Sequence, residues 1–427
     1  MTFDVRSVRA AYPALADGFA YLDGAAGTQV PVAVLDAISA AYRSGLGNAG
    51  GRFPASQRST ALTAECRQAV ADLTGGDPAG VILGPNMTTL TYRLAGTLAR
   101  DWRPGDEVVV SRLDHDANVR PWVQAAERAG ATVRWAEVDL STGELPAGQY
   151  AGLLSERTRL VAVTAASNVL GSRPDVPAIT AAARAAGALS YVDGVHATPH
   201  HPIDVAALGA DFYATSAYKW SGPHVGAVIA DPALLESLRP DKLLPAPDTV
   251  PERFEQGTPP FADLAGVTAA VDHLAQLGGT VSASTVSAST VSASTVSAST
   301  PSASTGEEGS RRQRLLASMA AVEAYEQDLF GVLQDGLAAM SHVTSYGKAA
   351  SRTPTAYFNV AGRSPGEVAR HLAERRINVW SGHNYAWELT GALGIRDSGS
   401  AVRAGLVHYN DRSEVDRLLG AVAELGS

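Results

Sequence analysis

Apolar positions along this chain keep changing their spacing, from short consecutive runs to stripes recurring every three or four residues. The runs at Val81 to Leu83, Glu107 to Ser111, Thr132 to Val138, Leu160 to Ala165, Leu189 to Val192 and Phe212 to Thr215 are short and rich in β-branched or aromatic residues, and they predict strands. Stripes of helical period lie between and before them. Val176 to Ala186 is one. Pro31 to Ser44 is another, with Pro in its first turn and Val34, Ile38, Ala41 and Tyr42 on one face. In a third, Ser59 to Leu73, the stripe is Leu62, Cys66, Ala69, Val70 and Leu73, so Cys66 is expected to be buried. Strands that alternate with helices and are apolar on both faces predict an α/β fold with a mainly parallel sheet covered on both sides.

Further on, a helical run from Arg311 to Met340 precedes two strand patterns, Tyr357 to Val360 and Ala401 to His408. These predict a second, smaller α/β domain. The expected division is an N-terminal segment over 1–14 that packs on the small domain, a large domain over 15–265, a connecting helix and insert over 266–305, and the small domain over 306–427. The insert holds four successive copies of Val-Ser-Ala-Ser-Thr from Val281, then Pro-Ser-Ala-Ser-Thr to Thr305. Its only apolar side chains are Val, Ala and Pro, too little surface to offset the entropy of ordering, which predicts an exposed disordered loop.

Composition narrows the function classes. With 34 Lys and Arg against 43 Asp and Glu, the net charge is −9. No basic stretch exceeds Arg311-Arg312-Gln313-Arg314, so neither nucleic acid nor an anionic membrane is the expected partner. No run approaches the roughly 18 apolar residues of a membrane span, and Met1 to Pro13 lacks the apolar core of a signal peptide. A cytoplasmic protein with a small-molecule substrate is the expectation. One cysteine excludes internal disulfides and cysteine-rich metal clusters, and the histidines lack the spacing of a ligand set, so no metal is expected.

The polar residues just past the predicted strands carry the chemistry. Asn86, Thr88 and Thr89 follow the first, His115 the second, Asn168 the fourth, Asp193 ends the fifth, and Ser216 and Lys219 follow the sixth. In open α/β sheets, ligands sit beyond the carboxyl ends of the strands. Lys219, closing the run Thr215-Ser216-Ala217-Tyr218-Lys219-Trp220-Ser221-Gly222, pairs with Asp193 to suggest pyridoxal phosphate (PLP). That cofactor needs an amine to hold its aldehyde as a Schiff base and a carboxylate to keep its ring nitrogen protonated. Taken singly, each residue has a plainer reading. Lys219 could be a surface lysine, Asp193 a turn residue of Asp-Gly, His115 a loop histidine among acids, and Thr88 and Thr89 helix caps, a role compatible with binding a phosphate.

Several runs together resemble fold-type I PLP enzymes of the class V aminotransferase family, and among them the cysteine desulfurases. They are Tyr21 to Gln29, Gly84 to Thr89, Asp114 to Asn118, Ala166 to Gly171, Tyr191 to His196, Ser216 to Lys219, Phe254 to Thr258 and Val402 to Gly405. The resemblance implies a large domain with a mainly parallel seven-stranded sheet, PLP as cofactor, and a homodimer with shared sites. It implies that Lys219 holds the cofactor and moves the α-proton, that Asp193 pairs with the ring nitrogen, and that His115 stacks on the ring. Asn168, with His196 where desulfurases usually carry glutamine, would bond the phenolic oxygen. Thr88, Thr89 and Ser216 would hold the phosphate, with Gly257 and Thr258 reaching in from a second subunit, and Arg403 would clamp the substrate carboxylate.

Departures from the family pattern direct the expected activity. Where desulfurases have a nucleophilic cysteine in a loop near the carboxyl end, this chain reads Trp380-Ser381-Gly382-His383-Asn384-Tyr385-Ala386-Trp387. Tyr385 stands in the thiol's place. Trp380 replaces an arginine, and Tyr218 the histidine before the lysine. The expected activity is therefore removal of an amino acid's α-proton to leave a carbanion, followed by β-elimination that cleaves a C–S or related bond, with His383 or Tyr385 assisting the leaving group. Transamination, epimerisation and a non-catalytic PLP-binding scaffold are the alternatives.

Overall fold

The computed structural model describes residues 3–278 and 309–426. The Val-Ser-Ala-Ser-Thr repeats fall outside the described residues. Seven strands form the main sheet: β1 (Val81–Gly84), β2 (Glu107–Ser111), β3 (Thr132–Ala136), β4 (Thr158–Thr164), β5 (Leu189–Asp193), β6 (Phe212–Ser216) and β7 (Gly226–Ala230). Their order across the sheet is β1-β7-β6-β5-β4-β2-β3. All neighbouring pairs are parallel except those of β7, which runs antiparallel to both β1 and β6. β7 is the strand the apolar pattern did not mark, since Gly-Ala-Val-Ile-Ala follows a turn-rich stretch.

Both faces of the sheet are buried, which is why its strands read as continuous apolar runs. Successive residues serve opposite cores. Val109, Val161, Val163, Val192 and Tyr213 join one cluster, while Val108, Val110, Leu160, Ala162, Tyr191 and Phe212 join the other. Helix Pro54–Thr74 packs Cys66, Ala69, Val70 and Leu73 into the first cluster. It starts five residues before the expected Ser59, with Pro54 in its first turn, where the missing N–H costs nothing. Helix Val32–Arg43 corrects two expectations. Pro31 is its N-cap rather than a helical residue, and Tyr42 is exposed, about 80° round the helix from buried Val34.

A second sheet contains β8 (Val343–Tyr346), β9 (Thr355–Val360), β10 (Trp380–Gly382) and β11 (Ala401–Gly405), in the order β10-β11-β9-β8 and antiparallel throughout. Helix Arg311–Ala338 contributes Phe330 and Leu333, and helix Arg412–Ala423 Leu418 and Val422, to a core with Phe358 and Val402. β11 stops three residues short of the expected His408, because the backbone of Gly405 pairs instead with Leu22 and Gly24. The N-terminal residues tie these parts together. Arg9 donates to the Tyr409 carbonyl and to Glu414. The Tyr12 hydroxyl lies 2.9 Å from Ser221 Oγ, 2.9 Å from His273 Nε2 and 2.6 Å from His408 Nε2.

Candidate active site

The strand order sets the site. β1, β6, β5, β4 and β2 run the same way, so the residues after them meet at one rim of the sheet. Asp193 ends β5, and Ser216 ends β6 and leads into a single 3₁₀ turn, Ala217–Lys219. Asn86 caps helix Met87–Leu98 after β1, accepting the Thr89 N–H at 2.9 Å. A small cavity of about 60 Å³ is lined by Thr88, His115, Asn168, Asp193, His196, Ser216 and Lys219. Thr89 does not line it; its amide is held by Asn86, while Thr88 one position earlier faces the cavity. Gly257 lines a separate cavity with Arg67 and Glu255, and neither Gly257 nor Thr258 lines the spaces around Lys219.

Thr88, His115, Asn168, Tyr218 and Lys219 also line a larger cleft of about 700 Å³, joined there by Arg403, Trp380, His383 and Tyr385. The expected substrate residues and the expected cofactor residues thus face adjoining spaces. Arg403 is buried in β11 and donates to the Asn168 carbonyl at 3.0 Å. His383 Nδ1 accepts the Tyr385 N–H at 3.0 Å.

Burial sets the charge states. Lys219, only 8% exposed, donates to the Ala25 carbonyl. Desolvation, helped by the charge of Arg403 and opposed by Asp193, pulls its amine down to about 7. Desolvation raises Asp193 to about 6, against a 2.9 Å hydrogen bond from the Val195 N–H and the nearby Lys219. His115 is held down to about 3, first by burial and then by the charges of Lys219 and Arg403, so it is neutral. Its Nδ1 accepts the Ala117 N–H at 3.0 Å, which puts the ring proton on Nε2. Burial likewise lowers Arg403 to about 10.

Three buried polar atoms here lack a partner among the described residues: Asn168 Oδ1, His196 Nδ1 and Arg403 Nε. Buried polar groups are normally satisfied. The second Nδ2 hydrogen of Asn168 and a proton on His196 Nδ1 suit a phenolic oxygen of the cofactor, Arg403 Nε suits the carboxylate of an amino acid, and the start of helix Met87–Leu98, where the Met87 N–H meets Ser216 Oγ at 3.0 Å, suits a phosphate. The residues therefore fit PLP. His196 Nε2 is fastened to Thr355 Oγ1 at 2.9 Å, and its ring meets that of His200 at 5.1 Å. His200 is bonded in turn to the buried Glu326 at 2.8 Å, while His201 lies 3.2 Å from the Pro202 carbonyl, and among the described residues no three His, Cys, Asp or Glu side chains gather as metal ligands.

Sequence reasoning missed the Ala25 carbonyl, Thr355, Glu326 and Arg120. A backbone acceptor leaves no side-chain signal, although Ala25 lies in one of the family-like runs. Arg120 in the cleft is bound to Asp116 at 2.8 Å and Glu388 at 2.7 Å.

A buried lysine and aspartate side by side at the rim of a sheet of this order define a PLP-dependent enzyme. The aminotransferase class-V family model matches residues 20–300 and 314–418, and the chain belongs to that family. An uncharacterized protein of Mycobacterium tuberculosis is 36% identical, with all of both chains covered. A cysteine desulfurase of Klebsiella pneumoniae is 30% identical over 100% of this chain and 99% of its own. Among solved structures, the Escherichia coli cysteine desulfurase CsdA superposes with a TM-score of 0.82 at 28% identity, over 100% of this chain and 99% of the other. A C-DES mutant with glycine covalently linked to its PLP shares the fold, at a TM-score of 0.73 and 23% identity over 97% and 99% of the two chains.

Proposed function

We propose that the protein is an amino-acid lyase that removes the α-proton and expels a β-substituent, breaking a C–S or related bond, and that it does not form a persulfide. The observation that carries this reading is the position of the chain's one cysteine. Cys66 is 0% exposed within helix Pro54–Thr74, and burial pushes its thiol up to about 12, leaving almost no thiolate at neutral pH. At the cleft stand His383 and Tyr385 instead.

Each residue has a task in this reading. Arg403 binds the substrate carboxylate through its free Nε edge. Asn168, with one amide hydrogen on the Asn384 carbonyl at 2.7 Å, has a second for the cofactor's phenolic oxygen. Asp193 holds a proton on the ring nitrogen, and Thr88 and Ser216 face the phosphate with the helix N-terminus behind them. Bound PLP supplies the sink for the electron pair left at Cα. Lys219 Nζ, an amine held near neutrality, accepts the α-proton and can return it. The C–S bond then breaks with its electron pair going to sulfur, which is protonated from His383 or Tyr385. The balance is one thioether amino acid plus one water giving a thiol, a keto acid and ammonia.

The same reading takes Gly257 and Thr258 to a partner's phosphate in a homodimer, supported by their absence from the lining around Lys219 within one chain. It treats 15–265 and 306–427 as two domains around the cleft, with 1–14 packing on the second, and places the protein in the cytoplasm. No described helix is long and apolar enough to cross a membrane. The test is to incubate purified holoenzyme with a panel of amino acids and cysteine conjugates. Equal yields of keto acid and ammonia support elimination. Amino transfer to a second keto acid, or α-deuterium exchange with inversion and no ammonia, would replace it with transamination or epimerisation.

A further inference from the structure

Gly382 to Tyr385 turns sharply above the cofactor cavity. Asn384 and Tyr385 are consecutive non-glycine residues in the left-handed region, at φ +47° and +59°, a strained arrangement that persists only where its surroundings over-determine it. Here they do. The Asn384 carbonyl accepts from Asn168 at 2.7 Å, the Tyr385 carbonyl accepts the Asp116 N–H at 2.8 Å, and the Asn384 side chain donates to the Gly382 carbonyl at 2.8 Å. The turn is thus pinned to the rim residues on either side of the site, and it presents the Tyr385 ring against the His115 ring, with centroids 5.3 Å apart and planes 28° from parallel.

What this pinning achieves is a fixed aromatic wall. Tyr385, Trp380 and Tyr92 line the cleft and, among the described residues, remain 65%, 52% and 42% exposed. The cleft's remaining charges are committed. Arg120 is held by Asp116 and Glu388, and Arg403 and Lys219 meet the carboxylate and amine common to every amino acid. No charge is left over there for a charged side chain, and the cleft runs on from Lys219 and Arg403 to Trp380 and Tyr385.

We propose that the cleft selects amino acids whose β-substituent is flat and apolar, an aryl or benzyl thioether rather than the free thiol of cysteine, with that group laid against Tyr385 and Trp380. The proposal rests on the reading that an amino acid binds between Lys219 and Arg403, and it deepens that reading by naming the side chain. Two measurements on the holoenzyme test it. The first is kcat/KM for S-benzylcysteine against cysteine. The second is the binding of phenylalanine against alanine, neither of which carries a leaving group, followed by quenching of tryptophan fluorescence with Trp380→Phe as control. The aromatic member of each pair is expected to be favoured by about ten-fold or more; in the binding pair, Tyr385→Ala should remove most of that preference, and Tyr385→Phe, which keeps the ring and loses the hydroxyl, should retain it. Phenylalanine preferred in binding while S-benzylcysteine releases no thiol would support the selectivity and end the lyase reading. Equal affinities, or a preference untouched in Tyr385→Ala, would overturn the proposal even if elimination is observed.

Discussion

Replacing Cys66 by alanine separates this protein from a persulfide-forming enzyme. The thiol sits in the core against helix and sheet, fully covered, and is raised to about 12 by desolvation. At pH 8 roughly one thiol in 10⁴ is then ionised, a population unsuited to accepting sulfur. Removing the sulfur atom leaves a small cavity and costs about 1 kcal/mol. For a chain of this length that lowers Tm by about 2 °C or less. The assay is the rate of keto-acid release with the best thioether substrate, alongside thermal unfolding. kcat/KM within about two-fold of the unaltered protein is expected, because no step touches residue 66. Alkylation adds to it: iodoacetamide should leave the folded protein unmodified and label one equivalent after unfolding. A loss of about three orders of magnitude with the small Tm change would show that the buried thiol is brought to the substrate, and the elimination reading would be wrong.

Asp193→Asn keeps the size of the side chain and removes its charge; kcat should fall by at least about 10², while the protein still takes up PLP with an altered absorption band. Lys219→Met in cofactor-free protein tests the buried amine. The folded group titrates near 7 and the unfolded one near its ordinary 10.5, so between these values the unfolded chain binds more protons and stability rises with pH. Urea unfolding should show that slope, up to roughly 5 kcal/mol across the window, and its loss in Lys219→Met; an unchanged slope would assign it to other groups. Gly226→Ala would place a Cβ 2.3 Å from the Asn86 backbone carbon, displacing the helix start that faces the phosphate. PLP affinity measured by equilibrium dialysis should drop by about ten-fold or more, and unchanged affinity would detach that helix from cofactor binding.

The rim was legible because each polar residue directly follows an apolar run, and the parallel sheet turns that linear pattern into convergence. Asp193, Lys219, His115 and Asn168 needed only the strand ends to be found. Gly226 to Ala230 was not legible as a strand, since Gly226 reads as part of the preceding turn and is required only by the close approach of Asn86 and Met87. Thr88 and Thr89 were visible as a pair, but which one faces the cavity depends on Asn86 capping the helix. Glu326 looks in sequence like a solvated position on a 28-residue helix, yet it is fully buried because His200, far away along the chain, lies opposite. Such pairings are decided by tertiary contacts that neither periodicity nor composition encodes.

The Tyr12 hydroxyl has a practical consequence. It touches Ser221, two residues beyond Lys219, and also His273 and His408, so one phenol near the start of the polypeptide fastens three distant stretches around the lysine's turn. Shortening the polypeptide past residue 12 would remove that phenol, so a trimmed form that is to keep the lysine's turn must retain it.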